Sequence, residues 1–191
     1  ISIQAGQLIN PKDENEQFAF SLANRIFGGG VAARLSSNLR TDKGWTFRAS
    51  SHFIPRQAQS TWMLNTSVQA DKALLALLEI KNELKAYTGD KPATEEELSI
   101  QVNGTIRSLP ARYGTATAVK SAISRSLIKD RPVDYVKGEV ERYQSLTVEQ
   151  IQSAAKKLIQ PDNLVWRISG DMTELEQKIR DLGWGEVVTF H

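Results

Sequence analysis

Residues Phe27 to Ser51 read FGGGVAARLSSNLRTDKGWTFRASS. Three glycines, Gly28, Gly29 and Gly30, close one amphipathic helix and open a second. The second helix carries Arg34 and Arg40, with Leu35 and Leu39 facing inward. Gly44 then leads into a strand that begins near Thr46. A glycine run of this kind lets two helices meet at a sharp angle with no Cβ in the way.

Reading outward toward the N-terminus, Ser2 to Ile9 fits a strand and Asn10-Pro11 a turn. Asp13, with Glu16 three residues on, resembles a capping box. Phe18, Leu22 and Ile26 then recur at helical spacing. Downstream, Phe47, Ala49, Ser51 and Phe53 alternate with Arg48, Ser50 and His52, and Trp62, Leu64, Thr66 and Val68 alternate with Met63, Asn65, Ser67 and Gln69. Period-two alternation predicts antiparallel strands with one packed face. Pro55-Arg56-Gln57 is the expected loop between them.

The middle of the chain reads as helices. Asp71 is placed to cap one carrying Leu74, Leu77, Leu78 and Leu84, and ending at Gly89. Thr94 and Glu97 form a capping box for the next, with Leu98, Val102, Ile106 and Leu109 on one stripe until Pro110 and Gly114 break it. Val119, Ile123 and Leu127 mark a third helix, and Tyr135, Val136, Val140 and Tyr143 a fourth. Thr147 and Gln150 cap a fifth, with Ile151, Ala155 and Leu158 inward. Leu164 to Ser169 reads as a strand, Leu175, Ile179 and Leu182 as a helix, and Glu186 to Phe190 as a last strand. Strands bracketing a block of helices give an α+β fold, an antiparallel or mixed sheet with helices on one face. With no internal repeat or long linker, residues 1–191 are expected to form one domain.

Composition narrows the function classes. A hydrophobic content of 40% and a charged content of 24% fit an ordinary globular chain. The net charge of +2, from 24 basic and 22 acidic residues spread along the chain, does not mark a nucleic-acid binder. No run approaches the ~18 apolar residues of a membrane span. The absence of cysteine excludes disulfides, thiolate metal sites and cysteine nucleophiles. The chain starts at Ile1, not Met, and is expected to be a piece of a longer precursor.

Catalytic templates are missing. His52 and His191 lie far apart, and neither stands near a glutamate in a zinc-binding pattern. There is no G-x-S-x-G elbow and no P-loop. Gly28, Gly30 and Ala33 match G-x-G-x-x-A, but a helix precedes them where a dinucleotide site needs a strand. Asn65-Thr66-Ser67 and Asn103-Gly104-Thr105 match glycosylation sequons inside expected regular structure.

The order Gly28-Gly29, Arg34-Leu35, Leu39-Arg40, Lys43-Gly44 and Phe47 resembles a segment in the metal-free, C-terminal half of pitrilysin- and insulinase-type zinc peptidases. Thr94 to Leu98, Arg131 to Tyr135, Leu146 to Ile151, Leu158 to Leu164 and Ile168 to Asp171 followed by Leu182-Gly183 are similar to successive landmarks of the same family. The resemblance implies the mitochondrial-processing-peptidase-like α+β sandwich (the LuxS/MPP-like metalloenzyme fold). It implies no cofactor in this chain, with zinc in a partner half that bears the HxxEH motif, in the same precursor or a separate chain. It also implies a peptide substrate held in a chamber between two halves.

In that family the counterpart of Arg40, and a tyrosine seven positions on, reach across to hold the substrate backbone. Here Phe47 replaces the tyrosine. The substrate-binding candidates are Arg40, Phe47 and Trp45, the last with a second reading as packing under the helix hairpin; Gly28, Gly29 and Gly30 read as a helix–helix corner whose flexibility is available for closure of two halves. Arg40 has a second reading as a cation at a helix C-terminus, and Phe47 as the first core residue of its strand. An inert scaffold is the alternative function, which the loss of the tyrosine hydroxyl favours. The bacterial periplasm or cell envelope is the favoured compartment.

Overall fold

The computed structural model describes residues 1–56, 58–128, 131, 132 and 134–190, without the side chains of Val136 and Lys137. The expected loop position Gln57, the helix-face residue Val136 and His191 therefore lie outside the described residues, as does Val133 of the Arg131–Tyr135 landmark.

Strand β1 (Ser2–Ile9) lies between β3 (Ser60–Val68) and β4 (Val165–Ser169), and β2 (Thr46–Ile54) pairs with the far side of β3. The order is β2-β3-β1-β4 and every pairing is antiparallel. The alternation in the sequence sets the faces. Ile3, Ala5, Ala49, Trp62 and Leu64 point to one side and are buried, while Gln4, His52 and Met63 point to the other.

The helices cover the buried side. Helix α1 (Glu14–Gly28) lays Phe20, Leu22, Ile26 and Phe27 on the sheet. A short α2 (Arg34–Ser36) runs on into a π-helical turn, Ser37–Asp42. Helix α3 (Ala73–Thr88) adds Leu77, Ile80 and Leu84, and α7 (Val148–Leu158) adds Ile151 and Ala155. Each large apolar side chain buried this way contributes about 1.5–3 kcal/mol. The layer is completed by α4 (Glu95–Arg112), α5 (Ala116–Ile128), α6 (Glu139–Gln144) and α8 (Glu176–Asp181).

Caps behave as the sequence predicts at Thr94/Glu97 and Thr147/Gln150, where both reciprocal bonds form. At α1 the box is altered. Asp13 Oδ1 accepts from the Glu16 N–H at 2.8 Å, but Glu16 reaches back to the Lys12 N–H at 2.6 Å and to Lys157 Nζ at 2.8 Å.

Three expectations are corrected. Asp71 does not cap α3: it sits in a 3₁₀ turn, Ala70–Lys72, and pairs with Lys72. Pro110 does not break α4: the helix runs on to Arg112 and the Tyr113 N–H still reaches Leu109 O at 3.1 Å, although the proline gives up the bond its own N–H would make to Ile106 O. The helix that Val119, Ile123 and Leu127 mark forms as α5, with those three side chains outward and Ala122 and Ser126 buried. Residues 186–190 form no strand: Arg180 donates to Val187 O at 3.0 Å and Thr189 Oγ1 at 3.2 Å, which ties the segment to α8 instead of the sheet.

Candidate functional site

The π-helical turn that carries Arg40 is fixed from below. Leu35 and Leu39 are fully buried, and the wider turn shows in the Lys43 N–H bond to Asn38 O at 3.1 Å, five residues back. Asn38 Nδ2 donates to Glu79 Oε1 at 2.7 Å and Glu83 Oε1 at 2.9 Å on α3, and Lys43 pairs with Glu79 at 3.4 Å. π-turns within helices often mark functional positions, since the extra residue swings side chains off the regular helical face. Arg40 is exposed here, with no side-chain hydrogen bond or ion pair among the described residues.

Trp45 follows, half-buried against the core with Lys43 Nζ 5.2 Å from its ring centre, and its N–H bonds Leu39 O at 2.9 Å. This links the turn to β2. Phe47 then departs from the expected alternation. Thr46 pairs with Val68 and Ala49 with Thr66, so Phe47 and Arg48 together oppose the single residue Ser67. This β-bulge turns Phe47 out of the core, and it is 97% exposed. The reading of Phe47 as a core residue is thereby excluded.

The bulge is supported by side-chain oxygens. The Arg48 N–H donates to Thr46 Oγ1 at 3.1 Å, and the Thr66 hydroxyl lies 3.0 Å from Arg48 O. A strand irregularity whose Arg48 N–H and C=O both find side-chain partners is a built feature. It sets an arginine and an aromatic ring on the solvent side, next to the Arg40 turn.

The three glycines differ in role. Gly28 is the last residue of α1, and a Cβ there would come within 2.4 Å of Ser51 Oγ on β2, so the close approach is helix to strand. Gly29 caps the helix, its N–H bonded to Arg25 O at 3.2 Å, and Gly30 stands in open space.

Arg34, which the sequence places only as part of the motif, proves to be the keystone beneath the site. Its guanidinium donates to both Glu97 oxygens at 2.6 Å and to Pro92 O at 2.8 Å, and lies 5.0 Å from the centre of the Tyr87 ring. Burial would raise the Glu97 carboxyl, but the Arg34 hydrogen bond, the Thr94 bonds and the Arg34 charge outweigh it and hold Glu97 below the usual range. The sequence signal was available: an arginine six residues ahead of Arg40 on a mostly apolar segment demands a buried acceptor.

The residues present do not fit a zinc ion. Among the described residues no three His, Cys, Asp or Glu side chains group to hold a metal. His52 Nε2 has Ser50 Oγ at 3.3 Å as its neighbour. Among the described residues no helix is long and apolar enough to cross a membrane.

Comparison with known proteins agrees with this picture. No curated protein sequence matches the chain. The peptidase M16 inactive domain from Pseudomonas fluorescens is 27% identical over 86% of this chain, with a TM-score of 0.78, and this chain spans 39% of its length. A candidate zinc protease from Bordetella pertussis Tohama I shares the fold at 16% identity and a TM-score of 0.73, over 88% of this chain and 93% of that one. The periplasmic protease PqqL from Escherichia coli shares it at 18% identity and a TM-score of 0.70, over 86% of this chain and 19% of that one. The family model for the peptidase M16 inactive domain matches residues 2–104, more than half of the sequence, and the chain belongs to that family.

Proposed function

We propose that this chain is the metal-free half of a zinc endopeptidase, a single-domain piece of a longer protein or complex. Together with an HxxEH-bearing half it would wall a chamber and hold an extended peptide. The observation that carries this reading is the exposed, unpaired Arg40 on a clamped π-turn, beside a bulge that presents Phe47 to solvent. A guanidinium is always charged and offers a fixed fork of donors to a peptide carbonyl. Because Leu35, Leu39 and Asn38 hold its turn, little ordering remains to be done when substrate arrives. Trp45 and Phe47 would supply apolar surface, and zinc chemistry would belong to the other half. A periplasmic setting is in keeping with the PqqL likeness.

The test is cleavage of a model peptide by the assembled two-half enzyme with Arg40→Ala beside wild type. A fall of about 10- to 100-fold with unchanged folding is expected for a substrate-positioning cation. An unchanged rate returns Arg40 to duty at a helix end. The scaffold alternative keeps one specific point in its favour, the missing hydroxyl at Phe47. It wins if the assembled, zinc-loaded complex cleaves nothing.

A further inference from the structure

The side of the sheet turned away from the helices has an unusual make-up. No aspartate or glutamate occurs anywhere in the four strands. The outward positions carry Arg48, Arg167 and His52, all exposed. Large apolar side chains are exposed among them: Leu8 by 61%, Val165 by 76%, and Met63, Ile54 and Phe47 as well. A solvated sheet face normally mixes charges of both signs and exposes few large apolar groups.

At its centre is a pocket. Gly6 pairs with Met63 on one side and Val165 on the other, so one rung lacks a side chain in the middle. A Cβ at Gly6 would meet Trp62 O at 3.0 Å. The resulting cavity of about 350 Å³ is lined by Leu8, Met63 and Val165, with Gln4 and Arg167 at its polar rim. Arg167 sits on the next rung, opposite Gln4. Arg48 lies in the bulge of β2, the strand at the opposite edge of the sheet. Three strand spacings separate β2 from β4, roughly 14 Å, which about four extended residues would cross.

We propose that this open sheet face binds an extended acidic polypeptide, seating one large apolar side chain over Gly6 and its carboxylates on Arg48 and Arg167. Charge complementarity selects the occupant: two guanidinium groups, with no carboxylate in the sheet, attract an acidic chain and disfavour a basic one. That the acidic chain is a peptidase substrate rests on the function proposed above; that it binds does not.

The test is fluorescence anisotropy with this chain and a labelled peptide whose central leucine is flanked by glutamates. Its controls are a twin flanked by lysines and a twin with central alanine. Expected are binding of the glutamate-flanked peptides and not of the lysine twin, tighter for leucine than for alanine, weakening by salt, and about tenfold or greater loss in R48E/R167E with an unchanged circular dichroism spectrum. Leu8→Ser should weaken the leucine peptide more than its alanine twin. Equal affinity for glutamate and lysine peptides, or an unchanged affinity in the double variant, overturns the proposal. Equal loss of both twins in Leu8→Ser removes the pocket. A dimer in sedimentation with no peptide bound overturns it in favour of a second copy on this face. No catalytic half or zinc enters this assay, so its failure leaves the Arg40 test standing, and the reverse holds.

Discussion

Gly28 meets Ser51 so closely that a Cβ on Gly28 would stand 2.4 Å from Ser51 Oγ and 2.7 Å from Ser51 N. The second of these atoms is backbone of β2 and cannot rotate away. Gly28→Ala must therefore lift the end of α1 off the strand that leads from the Arg40 turn. The helix-propensity gain of alanine, about 1 kcal/mol at most, is outweighed by overpacking. A net loss of about 1–3 kcal/mol is expected in urea unfolding. Gly30→Ala, with nothing within 4 Å, should stay within about 0.5 kcal/mol of wild type. Equal effects at the two positions would show that the run acts as one flexible corner.

Asn24 makes the same seam polar. Its Oδ1 accepts from Ser51 Oγ at 2.7 Å and from the Trp62 indole N–H at 2.7 Å, deep in the core. Asn24→Ala strands the indole donor in a dry interior. The cost expected is about 2–3 kcal/mol, from an orphaned donor and a small cavity together. Urea unfolding gives the number, and the emission of the otherwise fully buried Trp62 should shift as its hydrogen bond is lost. A loss below about 0.5 kcal/mol would mean water replaces the amide.

Arg34 and Glu97 predict an acid limb to stability. The folded chain holds the Glu97 carboxyl below its usual value of 4.5, despite burial, through its bonds to Arg34 and Thr94. A group whose value is lowered by folding stabilises the fold above its unfolded value. That stabilisation is lost as pH falls through the lowered folded value. Glu97→Gln keeps a side chain able to complete the capping box with Thr94, so it removes the charge and spares the cap. Unfolding measured from neutral pH down to below 4.5 should show wild type falling toward the variant. Parallel curves would mean that Arg34 is held by the carbonyls of Lys91 and Pro92 and not by the charge.

What the sequence made legible was whatever depends on near neighbours. The boxes at Thr94/Glu97 and Thr147/Gln150, the alternation of β3 and the periodicity of α1 are all local patterns, and they appear where expected. What local pattern leaves open is tertiary. Val119, Ile123 and Leu127 mark α5 by their spacing, yet which of its stripes faces the layer depends on packing, and Ala122 and Ser126 take that place. Residues 186–190 are rich in strand formers but are held along α8 by Arg180. The Arg40 turn is legible only through the family resemblance. Its support by Asn38, Glu79 and Glu83 joins residues some forty positions apart, beyond any local pattern.

Phe47 and Thr46 give the sharpest separation between presentation and stability. Phe47 is 97% exposed, so Phe47→Ala should leave unfolding within about 0.5 kcal/mol of wild type. Thr46 is buried, and its Oγ1 lies 2.7 Å from Ser67 O and 2.9 Å from Arg48 O, besides accepting from the Arg48 N–H. Thr46→Val preserves shape but deletes these bonds, leaving the bulge amide unpaired, and should cost about 1–3 kcal/mol. It should also let the strand slip toward regular pairing, which would turn Phe47 back toward the core. Urea unfolding of the two variants, with quenching of a tyrosine placed by Phe47→Tyr in the wild-type and Thr46→Val chains, reads both effects. A Thr46→Val chain as stable as wild type, with its residue-47 ring still fully quenchable, would mean the bulge is set by the Leu39–Trp45 bond and the turn before it.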